Sequence, residues 1–244
     1  MKSKIKAFAK KLLGFFGLRV AHIDRRQVSD ENRLKWLRDF RIKTVIDIGA
    51  SKGSFSAEFH GIFPKAQIFA FEPLPDCFTL VQKRMAGIAG FQAFNIALGD
   101  VAVSVTMHRS SYSGSSSLRE MGALHKDLFP VTAGQREVAV SVDTLDHALS
   151  GFNLQEPMLV KIDVQGFEDK VMDGGMDVLK RAKIVLVETS FYELYKGQPL
   201  FDGVYELLKG LGFEYHGSWA PELKSPIDGR LLQQDSVFAR RADL

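Results

Sequence analysis

The chain has little cysteine, no long apolar run and no repeat, and each lack excludes something. A single cysteine, Cys77, leaves no internal disulfide framework and no cysteine-cluster metal site. It fits a reducing compartment, so a cytoplasmic setting is expected. No stretch approaches the eighteen or more apolar residues of a membrane span. There is no internal repeat and no proline-rich linker to divide the 244 residues, which favours one large domain with a short appendage. The balance of 45% hydrophobic and 25% charged residues excludes a disordered chain.

The net charge of +3 hides an asymmetry. Residues 1–20 carry six lysines and arginines and no acid, so the remainder is net negative. A body that grips nucleic acid needs a basic face of its own, and no nucleic-acid partner is expected. Within the basic segment, Ile5, Phe8, Ala9, Leu12, Leu13 and Phe16 follow helical spacing. Such an amphipathic helix packs on its own domain or a neighbouring subunit, as in a homo-oligomer, or lies on the inner face of an anionic membrane. The first is the more ordinary use. Residues 1–40 are thus read as a basic helical segment, and 41–244 as the main domain.

From residue 44 the chain alternates. Thr44–Gly49 is an apolar run stopped by glycine, residues 54–63 read as a helix with Ser54 as a candidate cap, and Gln67–Phe71 is a second strand. A helix over 75–86 and a strand over 91–96 follow. The pattern resumes with a strand at Met158–Asp163, a helix over 167–180 broken at Gly174-Gly175, a strand at Lys183–Glu188 and a helix over 202–210. Two last strands, 212–216 and 234–240, have no helix between them and should pair antiparallel at the sheet edge. Strand–helix alternation of this kind specifies an α/β fold with a mostly parallel sheet and helices on both faces. Residues 99–157 exceed what a crossover needs. Alternating runs at 101–107 and 138–142 and a serine-rich loop at 110–117 predict an inserted hairpin, placed where lids and substrate walls occur.

In open α/β sheets ligands bind beyond the carboxyl ends of the strands. The turn Asp47-Ile48-Gly49-Ala50-Ser51-Lys52-Gly53 stands there, and Glu72 closes the second strand, suited to a ribose diol. A dinucleotide fingerprint would need glycine where Ser51 and Ser54 stand. Asp47 would also repel a pyrophosphate but attract a ligand carrying ammonium and sulfonium charges. S-adenosylmethionine has both, and a ribose.

At this point the sequence resembles the FkbM-type methyltransferases, which use S-adenosylmethionine on a Rossmann-like, seven-stranded sheet. The resemblance rests on Val45–Ala50, Phe71-Glu72-Pro73, Ser115–Leu118, Val142-Asp143-Thr144-Leu145-Asp146 and Val160–Glu168, and spans roughly residues 43–215. It departs at Gln165, where a glutamate is common in the family. The resemblance implies O-methylation of a hydroxyl on a sugar, a glycan or a related natural product. It also implies that Asp47, Gly49, Ala50 and Gly53, with Ser51 between them, hold the amino-acid end of the cofactor. Glu72, beside Pro73, would hold its ribose, Asn95 and Ala97 would lie near the adenine, and Asp163 would face the methyl group. A general base is expected to help a sugar hydroxyl react. The candidates are Asp163 and Glu188 at strand ends, then His216; His108 and His125 lie in the insertion with nothing to choose between them. A divalent metal on Asp163, Glu188 and a third oxygen is the less favoured arrangement, so no metal ligands are assigned. The competing readings are a nicotinamide oxidoreductase on a similar sheet and a non-catalytic scaffold docked through residues 1–20.

Overall fold

The computed structural model describes residues 34–219 and 222–240. The basic helix expected over 1–20 lies outside the described residues. The chain divides into two units, residues 1–39 and 40–244. In the first, the described residues 34–39 are helical, within the segment read as helical over residues 1–40, and residues 1–33 are again outside the described residues.

The second unit is organised by β1 (Thr44–Ile48), whose five residues are all buried. Such continuous burial needs cover on both faces, as helical crossovers in a parallel sheet provide. β2 (Gln67–Phe71), β3 (Phe91–Phe94), β7 (Met158–Ile162) and β8 (Ala182–Ser190) run parallel to it in the order β3-β2-β1-β7-β8. β11 (Leu231–Arg240) lies antiparallel beyond β8, and β9 (Phe213–Ser218) pairs antiparallel with β11. All seven expected strands are present. An eighth, β10 (Leu223–Lys224), adds to β11; two exposed residues carry no pattern that a sequence reading can detect. The direction of chain progress reverses between β1 and β7, which places a crevice at their carboxyl ends.

The crossovers are α1 (Ser54–Ile62), α2 (Pro75–Arg84), the pair α5 (Glu168–Asp173) and α6 (Met176–Arg181), and α7 (Phe201–Gly210). Ser54 is not the cap of α1. Gly53 is, in a left-handed conformation (φ 73°) that leaves Ser54 as the first helical residue. The Gly174-Gly175 break separates α5 from α6, and position 174 requires glycine, because a Cβ there would lie 1.9 Å from the Gly99 carbonyl oxygen.

The insertion forms its own three-stranded sheet, in the order β4-β6-β5. β5 (Val103–Ser110) and β6 (Gln135–Asp143) are the expected antiparallel hairpin, and β4 (Ala97–Leu98) joins β6 in parallel. The hairpin's long connection carries α3 (Ala123–Leu128). Two apolar clusters anchor it. Met107, Val140 and Val142 pack with Leu74 and Cys77, while Met121 and Leu128 pack with Leu194, Tyr195 and Leu232. Cys77 is thus a buried packing residue. A short helix, α4 (Leu145–Ala148), capped by the Thr144 hydroxyl, returns the chain toward β7. Among the described residues no helix is long and apolar enough to cross a membrane.

Candidate active site

A cavity of about 680 Å³ opens at the carboxyl ends of β1, β2, β7 and β8 and is walled on one side by the insertion. That size lies within the range of small-ligand sites, about 300–1,000 Å³. Of the residues expected to hold a cofactor, Gly49, Ala50, Ser51, Glu72, Pro73, Ala97 and Asp163 line it; Asp47, Gly53 and Asn95 do not.

The turn after β1 explains the first group. Gly49 and Ala50 both donate backbone N–H bonds to the Phe71 carbonyl, locking the turn onto the end of β2. Gly49 has φ 77°, and a Cβ there would lie 1.8 Å from the Asp163 carbonyl oxygen, so only glycine fits. Asp47 sits behind this turn. Its fully buried carboxylate accepts from the Ser56 hydroxyl (2.6 Å) and lies 3.3 Å from the Lys161 ammonium. Asp47 does not line the cavity, and the partners of its carboxylate are Ser56 and Lys161. Gly53 acts from the start of α1, and Asn95 is a buttress whose amide donates to the Glu72 and Pro73 carbonyls, each at 2.9 Å.

Glu72 is buried in the cavity wall. Its two oxygens accept from the backbone N–H of Ser51 and of Leu74, both at 2.8 Å. Burial pushes its pKa up to about 7 against the pull of those two N–H groups. Each oxygen keeps lone-pair capacity for one more donor. Beside it Leu74, Ile96, Ala97, Leu98 and Met107 make an apolar end.

The opposite end is polar and acidic. β1 and β7 pair with Asp47 opposite Lys161, and two residues further along the same strand face comes Asp163. Lys161 therefore stands 3.3 Å from each carboxylate and donates to the Gly49 carbonyl at 2.9 Å. Burial pulls its pKa down, but Asp163 and Asp47 more than offset this and leave it raised, so the ammonium stays charged. β8 and β11 place Glu188 opposite Asp235, and both line the cavity. Burial, then Asp163, Glu168 and Asp235, hold Glu188 well above the usual carboxylate range. Burial and Asp163 raise Asp235 to about 6. Glu168 accepts from the N–H groups of Val164 and Gly166, and burial raises it to about 7. Gln165 bridges Asp163 and Glu188 through its amide nitrogen. His216 is on the exposed face of β9 and does not line the cavity.

In the insertion, Tyr112 through Ser116 and Leu118 form the facing wall, and the structure separates the two histidines: His125 lines the cavity and His108 does not. Arg119 ties this wall to α5 through its Nη2, which donates to both Asp169 carboxylate oxygens at 2.8–2.9 Å. The Asp143-Thr144-Leu145-Asp146 motif does not reach the cavity. Asp143 accepts from the Thr144 N–H, Thr144 caps α4, and the Asp146 oxygens accept from the Asp177 and Val178 N–H groups at 3.0 and 2.9 Å, capping α6. Among the described residues no group of three or more His, Cys, Asp or Glu is arranged to hold a metal ion.

Lys161 and Tyr195 were not singled out from sequence as site residues, and Gln165 was noted only as a departure from the family pattern. For Lys161 a signal existed, since it lies two residues before Asp163 on one strand face and in a strand that neighbours β1.

Residues 47–215 match the profile described as the methyltransferase FkbM domain. The chain is 29% identical to the 2-O-methyltransferase NoeI of Sinorhizobium fredii over 171 residues, covering 67% of this chain and 70% of NoeI. It is 26% identical to methyltransferase sdnD of Sordaria araneosa over 212 residues, covering 76% and 80%. Among solved structures, methyltransferase FkbM from Methylobacillus flagellatus gives a TM-score of 0.48 at 12% identity, covering 82% of this chain and 44% of that one. This chain therefore spans less than half of that longer protein.

Proposed function

The chain belongs to the FkbM family of S-adenosylmethionine-dependent methyltransferases, and from that premise we propose that it O-methylates a hydroxyl of a sugar, glycan or related polyhydroxylated product. The observation that carries this reading is the division of the cavity. One end joins a buried carboxyl to an apolar pocket; the other is lined by Asp163, Gln165, Glu188, Gln233 and Asp235.

The first end fits a nucleoside. Glu72 offers two oxygens to vicinal ribose hydroxyls, with Pro73 beside it, and Ile96, Ala97 and Leu98 give the adenine an apolar slot. Gly49, Ala50 and Ser51 bring backbone close to the amino-acid end, and Asp163 supplies the acidic side chain there. Asp47 and Gly53 support this turn from behind, and Asn95 fixes the Glu72-Pro73 turn. When bound, S-adenosylmethionine supplies an electrophilic methyl group.

The second end fits a hydroxylated acceptor, because carboxylates and amides reward groups that both donate and accept hydrogen bonds. An apolar acceptor would leave them unsatisfied. Glu188 is the proton acceptor we favour. It lines the cavity among the acids and amides of this end, and burial and the neighbouring acids raise its pKa, which makes its carboxylate more basic than a free one. Asp163 is paired with Lys161 and is better suited to orient the donor. His216 has no place in this reading. The NoeI relative's description as a 2-O-methyltransferase supports transfer to oxygen. The acids at this end leave no role for a nucleic-acid phosphate.

Calorimetry with S-adenosylhomocysteine and with NAD tests the donor. Saturable binding of the first and none of the second is expected, and Glu72→Ala should weaken it by about 1–3 kcal/mol through lost hydrogen bonds to a charged group. NAD binding would instead support the oxidoreductase reading, and binding of neither would favour a scaffold. A screen of glycans and hydroxylated metabolites for methyl transfer identifies the acceptor.

A further inference from the structure

The chain turns sharply after Asp163, with φ 57° at Gln165 and 95° at Gly166. A Cβ on Gly166 would lie 2.8 Å from the Cβ of Tyr195, so the turn is packed directly against this fully buried tyrosine. In this turn the Gln165 amide lies between two acids. Its Nε2 donates to Asp163 Oδ1 at 2.9 Å and to Glu188 Oε2 at 2.6 Å. On the other side the Tyr195 hydroxyl donates to Gln165 Oε1 at 2.8 Å and lies 3.1 Å from the Ser115 carbonyl. The Ser117 hydroxyl donates to the Gln165 carbonyl at 2.6 Å. In this orientation the amide donates to both acids and accepts from the tyrosine, so each of its groups has a partner.

Resting on the reading of this cavity as the methyl-transfer site, we propose that Gln165 is a positioning residue. It holds Asp163 and Glu188 at a fixed separation and keeps Glu188 an available proton acceptor, while Tyr195 latches the amide and ties the pair to the insertion. The two acids come from the ends of adjacent strands and would otherwise repel one another. The groups that face Glu188 are Asp163 from β7, with Lys161 on its far side, Glu168 from α5, Asp235 and Gln233 from β11, and Tyr195 from the segment after β8. The acids all make ionisation of Glu188 harder. Gln165 and Gln233 donate hydrogen bonds to the same Glu188 oxygen, and the Gln165 bond is the shorter by 0.5 Å. Without the Gln165 donor, burial and the surrounding acids would oppose ionisation of Glu188 still more strongly.

The test is carboxyl ¹³C NMR on the full chain labelled at glutamate, with the Glu188 resonance assigned by E188Q and S-adenosylhomocysteine binding measured on the wild type. Q165M keeps the side chain's bulk and removes both donors. The Glu188 midpoint should rise by about one unit or more in Q165M, and by less in Y195F, which only frees the amide. Glu72, at the other end of the cavity and bonded to the backbone N–H groups of Ser51 and Leu74, is the internal reference and should stay put. A Glu188 midpoint unmoved in folded Q165M overturns the proposal. So does a shift shared equally by Glu188 and Glu72, which marks general loosening. Should Q165M not fold, Y195F decides on the same criteria. A wild type that does not bind S-adenosylhomocysteine overturns the methyl-transfer reading itself; one that binds but shows no specific Glu188 response overturns only the role of Gln165.

Discussion

Replacing Lys161 by methionine keeps the aliphatic stem and deletes one buried positive charge. The ammonium serves three partners, the carboxylates of Asp47 and Asp163 at 3.3 Å each and the Gly49 carbonyl at 2.9 Å. At an effective dielectric of about 20, a pair at that distance has a gross attraction of roughly 5 kcal/mol. Most of it offsets the cost of removing the charges from water, so the gross figure is not the loss to expect. What K161M leaves behind decides the magnitude. Asp47 is fully buried, and Ser56 would be its one remaining side-chain partner in the structure. Stranding a buried charge in this way costs about 3–5 kcal/mol. Lys161 has a raised pKa in the fold, so its contribution is complete at pH 7 and is lost only above the ordinary lysine range. Urea unfolding at pH 7 should therefore show K161M destabilised by about 3–5 kcal/mol. Adding D47N should recover part of that loss, with a coupling energy of about 1 kcal/mol or more. A loss below about 1 kcal/mol, or strictly additive single and double variants, would show that the triad is solvated and that Asp47 is free for another partner.

Acid should stabilise the ligand-free protein over a defined window. Glu72 and Glu168 titrate near 7, Asp235 near 6, and Glu188 well above its ordinary range, all because burial disfavours their charge. Between their unfolded and folded values the native state binds more protons than the unfolded chain, so unfolding free energy should rise as pH falls from about 7 toward 5. His125, which burial holds below its usual range, opposes this below about pH 6.5, but it is one group against four. Urea melts that show stability falling over that interval would contradict the burial of these acids. D146A removes the acceptor for two N–H groups at the start of α6 and should cost about 0.5–2 kcal/mol by the same melts. It should leave S-adenosylhomocysteine affinity unchanged, and a loss of binding would mean that the motif reaches the cavity. G49A places a methyl group against the Asp163 carbonyl at a left-handed φ and should abolish that binding in calorimetry or prevent folding; a normal protein would contradict the close approach.

The sheet was legible because its inner strands are continuous apolar runs, each stopped by glycine or an acid, and because burial on both faces requires such runs. Thr44–Ile48 is the clearest case. Elements of a few residues were not. β10 is two exposed residues, and the six residues of α3 are too few to show a helical period. Cap assignment failed at Ser54 for a related reason. A serine before an apolar stretch signals a cap, but the left-handed Gly53 that does the work is set by its contact with α2. Within the cavity, Glu72, Asp163 and Glu188 could be placed because a strand's carboxyl end is itself an address. Asp47 could be placed on β1, but charge alone does not reveal that a parallel strand sets Lys161 opposite it. Gln165 and Tyr195 are thirty residues apart and meet only through the fold.

The segment Lys161–Glu168 shows why a short motif can carry so much of a site. Alternation along β7 puts Lys161 and Asp163 on one face and Ile162 in the core. The strand then ends, and the left-handed pair Gln165-Gly166 turns the chain tightly enough for the Glu168 carboxyl to accept from Val164 and Gly166. That carboxyl holds the turn that holds Gln165. Glu168 thus acts on the two cavity acids without lining the cavity, as Asp47 acts through Lys161. Both are buried acids behind the wall, and both set the charge of a group that faces the ligand. Loss of either should then be felt first in the geometry of its partner, so E168Q, which keeps one acceptor oxygen, should perturb the site far less than E168A. Equal loss of S-adenosylhomocysteine affinity in the two variants would mean that the charge of Glu168, not its hydrogen bonds to the turn, is what the site requires.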